Sequence, residues 1–234
     1  MRLDRYLSNS TGISRSEIKK LIRQQAVTVN GHVAQNGSQQ VKAEDAIRLD
    51  SEVIDTPEPR YFMFYKPGGV VSATRDSEHT TAIDYFDEPH AENLQIAGRL
   101  DVDATGLLLV TDDGQWNHRV TAPRQNCYKT YEVELVEAVN ADTQNTWKKK
   151  FAQGIWLDNE KRRTLPAKVS FHDSHCLKLM ISEGKYHQVK RMCAAMGNRV
   201  ETLHRSAIGD VVLDSSLAPG EYRALTAEEV SSLA

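Results

Sequence analysis

Between Ile96 and Gly114 the chain reads IAGRLDVDATGLLLVTDDG, and this stretch limits the possible folds more than any other. Leu107–Val110 is an apolar run closed by Thr111-Asp112-Asp113-Gly114, which predicts a short buried strand ended by a turn. Just ahead of it Arg99, Asp101, Asp103 and Thr105 stand between Gly98 and Gly106. Polar groups on a loop that enters a buried strand are aimed from a fixed support, a common setting for chemistry. The competing reading is a surface loop whose aspartates only satisfy backbone donors. The rest of the chain decides between them.

With 234 residues, the chain is long enough for one large domain or for a small one plus a medium one. No apolar run approaches the ~18 residues that cross a bilayer, so no membrane contact is expected. The first residues, MRLDRYLSNSTG, lack the apolar centre of a signal peptide. Cys127, Cys176 and Cys193 are odd in number and form no CxxC pair, which points to reduced thiols, a cytoplasmic protein and no structural zinc. The net charge of −3 gives no global sign of nucleic-acid binding, so the local distribution has to be read.

Residues 1–50 look like a separate unit. Leu3, Tyr6 and Leu7 have helical spacing, and Gly12 ends that segment. Ser14 with Glu17 forms a capping-box pattern, opening a second helix with Ile18, Leu21 and Ile22 as its apolar stripe. Arg15, Lys19, Lys20 and Arg23 supply its basic side. Val27–Val29, the turn Asn30-Gly31, Val41 and Ile47–Leu49 suggest a small twisted sheet. The unit holds eight Lys/Arg against five Asp/Glu, so it is positive on a negative protein. A cationic helix is most often only a solvated face. The whole pattern RLDRYL, SRSEIKKLI, VTVNGHV resembles the S4 RNA-binding domain, however, and that resemblance implies that these four cations contact RNA phosphates.

Asp50–Arg60, DSEVIDTPEPR, carries two prolines and four acids and reads as a linker, dividing an S4-like domain with linker at 1–56 from a second domain at 57–234. The second unit opens with the aromatic strand YFMFYK, broken at Pro67-Gly68-Gly69. Further strands are expected at 107–111, 128–136, 166–171 and 176–182, and helices at 142–152, 187–196 and 226–233. Strands and helices alternate irregularly with hairpin-like joins, which favours an α+β fold whose long mixed sheet is mainly antiparallel.

Two more segments carry chemistry. Alternation along Lys129–Leu135 puts Tyr131 on the inward face with Val133 and Leu135. A core tyrosine with a satisfied hydroxyl is the default there. The functional alternative is a ring that stacks on a flipped base and a phenol that handles a proton. In SEGKYHQVKRM, a turn at Glu183-Gly184 leads to a helix start carrying His187, Lys190 and Arg191, a basic cluster suited to an anionic partner.

GRLDVDATGLLLVTDDG, KTYEV and EGKYHQVKRM, in this order after an S4-like unit, resemble the RsuA family of pseudouridine synthases. KPGGVVSAT and LAPGEYRALTAEE are similar to that family too, and Thr121–Cys127 resembles its small-subunit branch. The likeness covers nearly the whole chain. It implies the pseudouridine synthase fold and a cofactor-free, metal-free isomerisation of uridine in small-subunit 16S ribosomal RNA, at position 516. It also implies a monomer acting on the RNA or on a partly assembled small-subunit ribonucleoprotein. Asp101 matches the family's essential aspartate, Tyr131 the tyrosine that stacks on uracil, and Lys190 the basic residue that pairs with the aspartate. Many relatives carry arginine in that last place; lysine keeps the charge and loses the bidentate fork. Arg99 matches the arginine held near the gap left by the extruded nucleotide.

The chemistry agrees with this assignment. Turning uridine into pseudouridine breaks N1–C1′ and joins C5 to C1′, without redox change or phosphate donor. It needs a carboxylate at the sugar, as nucleophile at C1′ or base at C2′, and a nearby cation such as Lys190 favours its ionised form. Three rivals remain. Asp101-Val-Asp103-Ala-Thr105 also fits the DxDxT pattern of aspartyl-phosphate phosphatases, but Ala97-Gly98-Arg99 stands where an apolar parallel strand should precede it. A pseudouridine synthase acting on another rRNA site, and a non-catalytic RNA-binding or assembly factor, are the other two. A methyltransferase lacks its glycine-rich loop and a zinc deaminase its PCxxC. His172, His175 and Cys176 fall at an expected hairpin turn and read as surface residues.

Overall fold

The computed structural model describes residues 1–42, 44–55, 58–122 and 127–233. They divide into two compact units, Met1–Pro59 with Glu88–Asn93, and Arg60–Asp87 with Leu94–Ala234. The expected boundary between 56 and 57 and the central part of the Thr121–Cys127 segment lie outside the described residues.

The first unit comprises α1 (Leu3–Thr11), α2 (Arg15–Arg23), β1 (Val27–Val29), β2 (His32–Val33), β3 (Ile47–Leu49) and β4 (Glu52–Val53). Gly12 closes α1 in the left-handed conformation, and Ser14 caps α2 by accepting from the Glu17 amide. Leu3, Leu7, Ile18 and Ile22 are buried between the helices and the sheet, at roughly 1.5–3 kcal/mol each. The sheet runs β2-β1-β3-β4 and is antiparallel throughout. Val41, expected in a strand, instead packs as an irregular core residue.

The second unit contains β5 (Tyr61–Lys66), β6 (Gln95–Ala97), β7 (Thr105–Thr111), α3 (Gly114–Thr121), β8 (Lys129–Leu135) and α4 (Ala141–Ala152). It continues with β9 (Lys168–Phe171), β10 (Cys176–Ile181), α5 (Gln188–Ala195), β11 (Val200–Ile208), β12 (Val211–Val212), β13 (Tyr222–Ala224) and α6 (Ala227–Ser232). The main sheet is ordered β13-β5-β7-β11-β8-β10-β9, with β6 added to β7 and β12 to β11. β7 and β11 are its parallel pair, and the remaining pairs are antiparallel. The fold is therefore α+β with a long mixed sheet.

The sequence reading missed the helix α3 and the strands β4, β6, β11, β12 and β13, β4 falling in the segment read as a linker. The helix α3 begins where a turn was expected, because Asp113 caps it by accepting from the Gln115 and Trp116 amides. The strand β11 reads VETLHRSAI, whose polar residues hide any alternation, yet it sits centrally between β7 and β8. Its close approach to β7 requires Gly106, where φ is +105° and a Cβ would lie 2.3 Å from the Arg205 carbonyl oxygen. One core packs α4, α5 and the sheet around Trp147, Phe151, Leu179 and Met192, and reaches Leu100 and Ala104 in the loop before β7.

Candidate active site

That loop, Arg99–Ala104, is fixed almost entirely through its backbone. The Ser72 hydroxyl donates to the Leu100 carbonyl (2.8 Å) and accepts from the Leu100 amide (3.0 Å). The Lys66 ammonium donates to the carbonyls of Pro67 (2.9 Å), Val102 (3.1 Å) and Ala104 (2.7 Å). The Gly69 amide donates to Val102, and the Arg205 guanidinium to the carbonyls of Arg99 (3.2 Å) and Leu107 (2.8 Å). Leu100 and Ala104 point into the core while Val102 and Asp103 are exposed. A loop held this way presents the Asp101 carboxylate from a rigid frame.

Asp101 and Tyr131 line one cavity of about 820 Å³, together with Arg99, His187, Lys129 and Arg205. The His187 Nε2 is 3.5 Å from Asp101 Oδ1, and the Lys190 Nζ is 3.8 Å from Asp101 Oδ2. Lys190 bonds far more closely to Asp103, at 2.6 Å from both oxygens, and this holds the Asp103 carboxyl below the usual carboxylate range. Tyr131 projects inward from β8 as its alternation predicts, 7% exposed, and its hydroxyl has no hydrogen-bond partner among the described residues.

Not every basic residue of the EGKYHQVKRM segment faces the cavity. Arg191, expected to contact RNA, donates to Glu160 (3.0 Å), to the Tyr186 carbonyl (3.0 Å) and to the Asp158 carbonyl. Glu160 supplies the counter-charge that draws it away, so Arg191 braces the turn before α5. Arg15, Lys19, Lys20 and Arg23 lie exposed on α2 of the other unit.

Lys66, Ser72, Lys129 and Arg205 are the site residues that sequence reasoning missed. Lys66 is fully buried, and burial pulls its pKa down to about 8 against the attraction of Asp103 and Asp101. Burial also lowers Lys129, which further feels the positive charge of Arg205. Lys66 and Ser72 fall within the KPGGVVSAT motif, which was the available signal for them.

The phosphatase alternative fails on context, since the loop leads from a three-residue antiparallel strand into β7, itself antiparallel to β5. Among the described residues, no group of three or more His, Cys, Asp or Glu side chains converges to hold a metal. His172–Cys176 is a hairpin turn in which Asp173 accepts from the His175 and Cys176 amides. No helix among the described residues is long and apolar enough to cross a membrane.

Comparison with known proteins adds three findings. A family model described as RNA pseudouridylate synthase matches residues 60–195, and one described as S4 domain matches residues 1–47. The chain is 49% identical over its whole length to a Vibrio parahaemolyticus protein named ribosomal small subunit pseudouridine synthase A, covering 99% of it. It is 48% identical over its whole length to a Haemophilus influenzae protein of the same name, again covering 99%. A solved structure titled as that of a pseudouridylate synthase aligns over the whole of both chains, with a TM-score of 0.71 and 47% identity.

Proposed function

The chain belongs to the RNA pseudouridylate synthase family, and from that premise we propose that it isomerises a uridine of small-subunit ribosomal RNA, with Asp101 acting at the ribose. Tyr131 is the plate against which the uracil rests and the group that handles the C5 proton. Lys190 is the cation that attends the carboxylate, with the His187 ring beside it, and Arg99 meets the RNA at the cavity. One observation carries this reading: Asp101, from the loop before β7, and Tyr131, from within β8, open onto the same cavity of about 820 Å³.

The reaction is balanced within the substrate. The N1–C1′ bond breaks, the uracil turns, C5 bonds to C1′, and the proton lost from C5 is made up at N1. Asp101 supplies the carboxylate beside the sugar, by attack at C1′ or by taking a proton from C2′. The hydroxyl of Tyr131, without a hydrogen-bond partner among the described residues, is available to the turned base in the cavity that Tyr131 lines. To enter the cavity the uridine must leave its stack, at a cost of a few kcal/mol. Contacts from the S4 cations and the cavity's own cations to phosphates offset that cost.

The test is to incubate the protein with small-subunit rRNA, free and partly assembled with ribosomal proteins, and to map carbodiimide-dependent reverse-transcription stops. A single stop at uridine 516 is expected from the wild type, and none from Asp101→Asn, whose RNA affinity stays within a few-fold. Full activity in Asp101→Asn would remove the assignment.

A further inference from the structure

The turn that delivers His187 carries a second aromatic group that the reaction does not use. Tyr186 is 75% exposed, and its ring lies 3.8 Å from the His187 ring at an interplanar angle of 20°. Both residues line the cavity that holds Asp101 and Tyr131. One face of the phenol is covered by the imidazole. The other is open.

An exposed aromatic on a mobile loop would need no explanation. This one sits on a backbone tied down at every neighbour. The Tyr186 carbonyl accepts from Arg191 (3.0 Å), and Glu160 bridges Arg191 and Lys185 at 3.0 and 2.9 Å. The Lys185 amide donates to the Gln188 side chain, which in turn donates to Glu183. His187 takes a left-handed conformation, with φ +46°, an uncommon one for a side-chain-bearing residue. The turn is thus held in a strained, well-braced form, and what that form achieves is a stacked Tyr–His pair beside the catalytic carboxylate.

We propose that the open face of Tyr186 is a stacking site for the nucleobase next to the target uridine, an inference that rests on the function given above. Extruding one nucleotide strips its neighbour of a stacking partner, leaving a bare π-face at the cavity mouth. Tyr186 replaces the lost partner, so that neighbour base, Tyr186 and His187 form one stack ending 3.5 Å from Asp101. Because every base has a π-face, the site fixes where the RNA lies without reading its sequence.

The test uses a synthetic small-subunit rRNA fragment spanning the uridine that the wild type modifies, and two versions with an abasic site immediately 5′ or 3′ of it. One of the abasic RNAs is expected to raise the wild-type KM roughly tenfold, the effect of losing one base–aromatic stack. Tyr186→Ala is expected to raise KM similarly on intact RNA, with kcat within a few-fold, and to be indifferent to that same abasic site. Tyr186→Phe and Tyr186→Trp restore the KM; Tyr186→Leu, which covers His187 without offering a π-face, does not. Equal abasic penalties in wild type and Tyr186→Ala, or a wild-type KM in Tyr186→Leu, would overturn the stacking site. A wild type that makes no pseudouridine would instead overturn the function itself, and the stacking site with it.

Discussion

The Lys190 ammonium lies 2.6 Å from both carboxylate oxygens of Asp103 but 3.8 Å from the nearer oxygen of Asp101. Its tighter partner is therefore not the residue assigned to the ribose. The Asp103 side chain is 72% exposed, and an ion pair so open to water contributes little. RNA covering the cavity would strengthen whichever contact it buries. Asp103→Asn is expected to keep single-turnover pseudouridine formation within a few-fold of wild type, while Lys190→Met loses about a hundredfold or more. A larger loss in Asp103→Asn than in Lys190→Met would make Asp103 the acting carboxylate.

Tyr131→Phe separates stacking from proton transfer. The ring remains buried against the same core, so KM should stay within a few-fold. Removing the phenol takes away the group proposed to handle the C5 proton, and kcat should fall by about 10²–10⁴. Quench-flow turnover at wild-type rate would leave the hydroxyl without a proton role.

Lys66 makes stability depend on pH in a defined direction. Its folded pKa of about 8 lies below its ordinary 10.5, so between these values the unfolded chain holds a proton that the folded chain has released. Stability contributed by this group therefore rises from about pH 8 towards 10.5 and is lowest below that window. Chemical denaturation of wild type and Lys66→Met should show the difference moving in favour of the wild type across that range. Lys66→Met should also lower kcat, because the carbonyls of Val102 and Ala104 lose a donor that positions the Asp101 loop. Parallel pH profiles for the two proteins would mean that the buried amine does not titrate as described.

Lys19 and Lys20 are exposed neighbours on α2 in the unit matched by the S4 model. If they contact phosphates, the double change to Ala should weaken RNA binding and reduce the slope of log affinity against log salt by about 1 per contact removed. The kcat at saturating RNA should not move. An unchanged salt slope would place the RNA elsewhere on this domain.

The sequence by itself determined the parts whose information is local. Ser14 and Glu17 lie three residues apart and mark the start of α2, and the alternation of Lys129–Leu135 turned Tyr131 inward. The apolar run after Gly106 announced β7, and the ordered motifs identified the family. Tertiary structure decided the rest. Arg205 holds Arg99 across 106 residues of sequence, Lys66 holds Ala104 across 38, and Lys190 meets Asp103 across 87. No periodicity records such pairs, because hydrogen bonds and ion pairs form wherever folding brings donor to acceptor. A buried cation reads, residue by residue, like a solvated one. Only the packed sheet shows that Lys66 and Arg205 hold the loop that carries Asp101, that Arg191 is bound to Glu160, and that Lys190 has two carboxylates to choose between.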